Sequence, residues 1–277
     1  MIRLALRVRS EDAEVALAEL LELAPSGVEE VSLPDGLVEY AVYGPPGELP
    51  ALPSFEAAVG GALVSVSSSE VADDWAERWR DFHQPLLVGG RLYVRPPWSP
   101  AHPDALDLVI DPGQAFGTGA HATTALCLEL LLEEPVPSDE RAVVDLGCGS
   151  GVLGIAAAKL GWGPVLGLDF DPLSVTASAE NADVNGVAME VRRFDLRSEM
   201  APAAPLVLAN LLGPLLRSWC EQLVGASALP AVVIASGLLE READELSARF
   251  GAVGLAESAR RVQGDWAALR LVRTQVG

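Results

Sequence analysis

The chain has 277 residues, half of them hydrophobic, with 39 acidic against 19 basic side chains and a formal net charge of −20. That length allows one large domain and a small one around a sizeable core, and no apolar run is long enough to span a bilayer. A field of this sign repels phosphate backbones and favours basic partners, which counts against direct nucleic-acid binding. Three cysteines (Cys127, Cys148 and Cys220) are an odd number at spacings that give no disulfide framework, and the three histidines are scattered, so no metal cluster is expected. Acidic residues follow the N-terminus too closely for a signal peptide. These features predict a cytoplasmic protein with no membrane partner, taken as a monomer.

In chain order, the first 69 residues predict a small α+β domain. "RLALRVR" alternates as a strand, and "SEDAEVALAELLELA" opens on a Ser10 cap with helical apolar spacing. "GVEEVSLPDGLVEYAVYG" reads as a hairpin turning at Pro34-Asp35-Gly36, then "SFEAAVG" as a short helix and "ALVSVSS" as a closing strand. The order βαββαβ is that of a ferredoxin-like sandwich, a fold expected here to serve recognition. Residues 70–85 predict a linker helix with Trp75, Trp79 and Phe82 on one face. "RLYVRPPW" is a strand entering a second domain, 86–277, through a Pro-rich loop at Pro96 to Pro103.

From about Asp107 short apolar strands alternate with helices. The strands are "RAVVDLG", "PVLGLDF", "MEVRRFD", "PLVLAN" and "AVVIASG", and two more follow, "VGLAESARRV" and "WAALRLVR", joined by "QGD". The pattern predicts an α/β, Rossmann-like domain. Its seven-stranded sheet is mostly parallel, covered on both faces, and ends in an antiparallel hairpin.

Two glycine-rich loops flank one short helix: "DPGQAFGTGAHATT" (Asp111 to Thr124) and "VVDLGCGSGVLG" (Val143 to Gly154). The second admits two readings. From Gly149 it spells the dinucleotide fingerprint (Gly149, Gly151, Gly154), with Asp169 twenty residues on. From Asp145 it spells D-x-G-x-G-x-G (Asp145, Gly147, Gly149, Gly151), the pattern of an S-adenosylmethionine loop. Both bring backbone close to the ligand at a helix N-terminus. Asp145 separates them, because a carboxylate there would repel a pyrophosphate but tolerates the cationic amino group of a methionine moiety. The preceding "AFGTGAHATT" has no place in a dinucleotide fold. The methyl-donor reading is favoured.

The blocks "DPGQAFGTGAHATTALCLELL", "VVDLGCGSGVLGIAAAKLG", "VLGLDFDPLSVTASAENADVNG" and "LVLANLLGPLL" together resemble the bacterial methyltransferases of large-subunit ribosomal protein eleven, the PrmA family. The resemblance covers most of Trp75 to Leu216, whereas the first seventy residues match only in length and expected fold. It implies a class I methyltransferase with S-adenosyl-L-methionine as cofactor and a basic ribosomal protein as partner. It also implies donor contacts from Thr124, Gly147, Asp169 and Asn210, with Phe116, Gly117, Thr118 and Gly119 as a loop over the donor. Gly149, Gly151 and Asp145 join them from the glycine loop. Asn210 is the residue expected to orient the accepting amine.

Other residues near these motifs keep two readings. Asp171 is an alternative ribose ligand or, as favoured here, the cap of the helix starting at Pro172. Asp195 is an acceptor for the adenine amino group or a solvated loop acid. His121 is given no role as a base, and Cys148 shows no basic partner that would make it a nucleophile. In "ANLLGP", Leu211, Leu212 and Gly213 replace the prolines and aromatic of an Asn-Pro-Pro-aromatic platform, which argues against a planar base as substrate. Three functions follow in order. The first is transfer to lysine or N-terminal amines of the ribosomal protein, the second transfer to another protein or a small molecule, and the third an NAD-dependent dehydrogenase.

Overall fold

The structure, a computed structural model, describes residues 2–13, 16–17, 20, 28–34, 36–44, 63–70, 83–112, 121–136, 138–139, 141–226 and 228–274. The chain divides into an N-terminal unit ending at Phe82 and a second unit beginning at His83.

In the N-terminal unit, β1 (Ile2–Arg9), β2 (Glu29–Leu33), β3 (Leu37–Gly44) and β4 (Leu63–Glu70) form one antiparallel sheet in the order β2-β3-β1-β4. Alternation decides its faces. Leu4, Leu6 and Val8 of β1 and Val38, Tyr40 and Val42 of β3 bury together against Ala13, Ala16 and Leu20. The Tyr40 hydroxyl donates to the Ala13 carbonyl at 3.0 Å. On the other face Glu39 accepts from Arg3 at 2.6 Å and from Arg7 at 2.7 Å, and these guanidiniums hold its carboxyl below the ordinary range. Placing β3 between β1 and β2 is the strand order a split βαβ pair requires. The stretches expected to supply its two helices lie largely outside the described residues. So does nearly all of the expected linker helix, with Trp75, Trp79 and Phe82.

The second unit opens with a three-stranded sheet of β5 (Leu86–Val88), β6 (Leu92–Arg95) and β7 (Leu106–Val109). The sequence predicts β6 alone of these three. β6 and β7 run parallel, and their connection is fixed by Arg95, which forks onto Asp107 at 2.7 and 2.8 Å and donates to the Ser99 carbonyl at 2.6 Å.

The main sheet contains β8 (Val143–Leu146), β9 (Val165–Asp169), β10 (Met189–Arg193), β11 (Leu206–Asn210), β12 (Val232–Leu239), β13 (Leu255–Gln263) and β14 (Trp266–Arg273), in the order β10-β9-β8-β11-β12-β14-β13. The first five are parallel; β14 joins β12 antiparallel, leaving β13 at the edge. The expected α/β sheet and its terminal hairpin are both present. Along β11, Leu206 and Leu208 enter one core while Val207 and Ala209 enter the other, so the strand is apolar up to its last residue, Asn210.

Helices α1 (Ala122–Leu132), α2 (Val152–Lys159) and α3 (Pro172–Val184) contribute to the first core, and α4 (Gly213–Gln222) and α5 (Glu240–Ala252) to the second. α1 is buried nearly all round because it touches β5 as well as β12 and β14. At its end Glu134, buried, pairs with Arg270 of β14, and Glu133 pairs with Arg261 of β13.

Candidate active site

Strand order reverses between β8 and β11, and in open α/β sheets the crevice beyond the carboxyl ends at such a point is where ligands bind. The sequence puts chemistry at those ends: the glycine loop after β8, Asp169 closing β9, Asp195 after β10 and Asn210 closing β11.

The glycine loop turns sharply. Gly147 and Gly151 have φ of +72° and +81°, values side chains disfavour. A Cβ at Gly147 would lie 2.3 Å from Leu211 Cδ2, so the space beside it is filled by the residue after Asn210. Gly147 and Cys148 N–H both donate to the Leu168 carbonyl, at 2.7 and 3.1 Å. Asp169 braces the loop from β9: its Oδ2 accepts from Gly149 N–H at 2.8 Å and its Oδ1 from Asp171 N–H at 3.0 Å. Burial raises its pKa against those two bonds.

Asp145 is buried at the end of β8. Its Oδ2 accepts from Gly154 N–H at 2.8 Å, while Oδ1 has no hydrogen-bond partner among the described residues. Burial pushes its pKa up to about 7, the Gly154 bond acting against this and the Asp169 charge adding to it. Cys148 lies nearby with its thiol raised well above the ordinary value, first by burial and then by Asp145 and Asp169. It is therefore a neutral thiol at physiological pH and no nucleophile.

Thr124 and Asn210, 86 residues apart in sequence, meet: Asn210 Nδ2 donates to Thr124 Oγ1 at 3.3 Å, with Thr124 fully buried. Thr124 is not the helix cap. That role belongs to His121, whose side chain accepts from Thr123 N–H and whose Nδ1 lies 2.8 Å from Thr123 Oγ1. Its ring packs edge-on against Trp266 at 5.1 Å, and burial lowers its pKa. Asp171 caps α3, accepting from Leu173 N–H at 3.0 Å, as its position before Pro172 predicts.

Asp195 is engaged locally, accepting from the backbone and side chain of Arg197, both at 3.0 Å, with its pKa lowered by that side chain first. Phe170, half exposed beside Asp169, lies under the guanidiniums of Arg193 and Arg197 at 5.2 and 4.8 Å. No motif in the sequence points to Phe170. Phe116, Gly117, Thr118 and Gly119 lie outside the described residues. Among the described residues no group of three or more His, Cys, Asp or Glu could hold a metal ion, and no helix is long and apolar enough to cross a membrane.

The family described as "Ribosomal protein L11 methyltransferase (PrmA)" matches residues 54–274. The chain belongs to this family. A PrmA relative named ribosomal protein L11 methyltransferase, from Pelotomaculum thermopropionicum, is 41% identical over 214 residues, 76% of this chain and 69% of the relative. One of the same name from Aeromonas hydrophila is 41% identical over 180 residues, 64% of this chain and 61% of the relative, under two thirds of its length. A solved ribosomal protein L11 methylase from Lactobacillus delbrueckii subsp. bulgaricus superposes with a TM-score of 0.61 at 28% identity, covering 70% of this chain and all of that one. The chain is thus a methyltransferase of the class I build, and membership of this family does not favour the dehydrogenase alternative.

The residues present fit S-adenosylmethionine. The buried Asp145 Oδ1, without a hydrogen-bond partner among the described residues, suits a cationic amino group, and a glycine loop opening α2 suits the adjoining carboxylate.

Proposed function

We propose that this PrmA-family chain methylates lysine or N-terminal amines of ribosomal protein L11, using S-adenosylmethionine. The observation that carries this reading is the meeting of Thr124 and Asn210 beside Gly147, where strand order reverses. It brings three elements of the family motif to one crevice.

S-adenosylmethionine supplies a methyl carbon already activated by its sulfonium. The chain's own contribution is alignment. Gly147, Gly149 and Gly151 let backbone come close to the methionine moiety, and Asp145 faces its cationic end. Asp169 takes the ribose hydroxyls: each carboxylate oxygen already accepts one backbone N–H and has a further lone pair. Thr124 supports the donor and Asn210. Asp195 takes the adenine amino group in exchange for part of its Arg197 contact, and Phe116, Gly117 and Thr118 cover the donor by resemblance to the family.

With Nδ2 given to Thr124, the acceptor end of the Asn210 amide is the group that takes a hydrogen bond from the incoming amine and orients its lone pair. A free lysine has a pKa of about 10.4, which desolvation lowers, so no strong base is needed. His121 is not assigned to that task, since its Nδ1 already serves Thr123. The partner is a basic ribosomal protein, and neither nucleic acid nor membrane is part of the reading.

Incubation with methyl-labelled donor and purified L11 should place label on L11 amines. Asp169→Ala should weaken donor binding by about 1.5–3 kcal/mol, the loss expected for hydrogen bonds to a charged group. No label on L11 from an enzyme that binds the donor would sink the substrate. An unchanged donor dissociation constant in folded Asp169→Ala would move the ribose contact elsewhere.

A further inference from the structure

Helix α3 turns a polar face inward. Ser174, Ser178 and Asn181 are buried, and Asn185 follows at the C-cap, so steps of four, three and four keep all four on one side. Buried polar groups need partners: Ser174 Oγ donates to the cap Asp171 Oδ2 at 3.4 Å, and the other three reach backbone outside the helix. Ser178 Oγ donates to the Gly149 carbonyl at 2.8 Å. Asn181 Nδ2 donates to the Ser150 carbonyl at 2.9 Å, and its Oδ1 accepts from Asp111 N–H at 3.0 Å. Asn185 instead engages Val109, accepting from its N–H at 3.0 Å and donating to its carbonyl at 2.6 Å, and donates to the Asn181 carbonyl at 2.8 Å. The two amides imitate a strand laid along the exit of β7.

Asn181 differs from Asn185 in what it joins. One end of its amide holds the glycine loop and the other holds Asp111, 70 residues away in sequence from Asn181. The glycine loop has little conformational preference of its own, so its place must be set by outside bonds: Asp169 on Gly149 N–H, Ser178 on the Gly149 carbonyl, Asn181 on the Ser150 carbonyl. We propose that Asn181 is a positioning residue of the donor site, which sets the standing of the glycine loop by tying Ser150 to Asp111. This rests on the donor reading of that loop. A site held this way is preorganised, and preorganisation is gained as affinity.

The test uses the full chain and two measurements, calorimetric titration with S-adenosylmethionine and amide hydrogen exchange without it. Asn181→Ser should raise the donor dissociation constant by about tenfold or more, as for a lost buried hydrogen-bond pair. It should also speed exchange at Asp111 and across 149–154. Asn181→Asp keeps an acceptor for Asp111 N–H but sets a second acceptor against the Ser150 carbonyl. It should lose donor affinity while Asp111 stays protected, and it carries the comparison if the serine variant does not fold. Asn185→Ser should cost stability to unfolding yet leave the donor constant within about twofold, since its bonds go to β7 and its own helix. Donor affinity that merely follows stability across these variants would overturn the proposal, as would glycine-loop amides exchanging at the wild-type rate in Asn181→Ser. If the wild type itself takes no S-adenosylmethionine, the functional reading fails. The exchange comparison then still decides the role of Asn181: acceleration across 149–154 supports it and none overturns it.

Discussion

At the end of β8 a carboxyl group is buried with one oxygen unpartnered among the described residues, and this gives Asp145 a pH dependence whose sign can be worked out. Burial lifts its pKa from 3.8 to about 7. The folded state thus holds the proton more tightly than the unfolded chain. The stability Asp145 contributes is fully present below about pH 4 and is lost as pH rises through about 7. Asp145→Asn keeps the shape and an acceptor for Gly154 N–H but cannot titrate. Urea unfolding from pH 4 to 8 should show wild type losing stability relative to the variant, and parallel curves would mean that Asp145 ionises freely. In the proposed site a cationic donor group favours the carboxylate. Wild type should therefore bind S-adenosylmethionine more tightly than the variant at pH 8, by a margin that shrinks as pH falls below 7. A margin independent of pH would remove Asp145 from the donor site.

Between β11 and β12 the structure makes a close backbone approach that fixes Asn210. Leu211 N–H donates to the Ser236 carbonyl at 2.9 Å, and the next residue, Gly237, sits at φ +81° where the β12–β14 register shifts. A Cβ there would lie 2.5 Å from the Leu211 carbonyl oxygen. Leu211 is thereby seated between Gly237 and Gly147, its backbone against one and its side chain against the other. Gly237→Ala should destabilise the chain by about 1–3 kcal/mol through left-handed strain alone, with more from displacing Leu211. Denaturant midpoints with unchanged m-values check this, and a variant as stable as wild type would show that the bulge yields easily. The sequence makes part of this legible. Alternation and length announce β11, β12 and the hairpin, and the motif announces Asn210. "LLG" by itself shows only which residues are missing from an aromatic platform, because the partner of Leu211 lies 64 residues before it in Gly147 and 26 after it in Gly237. β5 and β7 escape notice for a different reason: strands of three and four residues beside a Pro-rich loop carry too short a pattern, and tertiary bonds such as Arg95 to Asp107 hold them. The polar face of α3 is visible as Ser174, Ser178, Asn181 and Asn185 at helical spacing. Spacing alone reads equally well as a solvated face, and burial decides otherwise.

Charge and the division of labour between the two units belong to the scale of the whole molecule. Thr124, Asp145, Gly147, Asp169 and Asn210 all lie in the unit that begins at His83, and both of its cores are built from residues beyond that point. A unit with its own core can fold alone. The N-terminal unit has a separate core, a second sheet face on which Arg3 and Arg7 cover the buried Glu39, and none of the described site residues; the family match begins only at residue 54. Acidic side chains outnumber basic ones in both units, which suits a basic substrate. The proposal is therefore that the N-terminal unit recognises the ribosomal protein while the second unit performs transfer. A chain starting at His83 should bind S-adenosylmethionine with the full-length dissociation constant yet lose methylation of L11. Full-length enzyme should show a KM for L11 that rises with salt, because screening at 0.1 M already confines exposed charges to about 10 Å. Its donor affinity, set by buried groups, should move much less. L11 methylation at the full-length rate by the shortened chain would refute the recognition role. A KM indifferent to salt would instead leave recognition in place but remove charge as its basis, and the contacts would then have to be sought among the apolar side chains of the N-terminal unit, of which Val31 and Val64 are exposed.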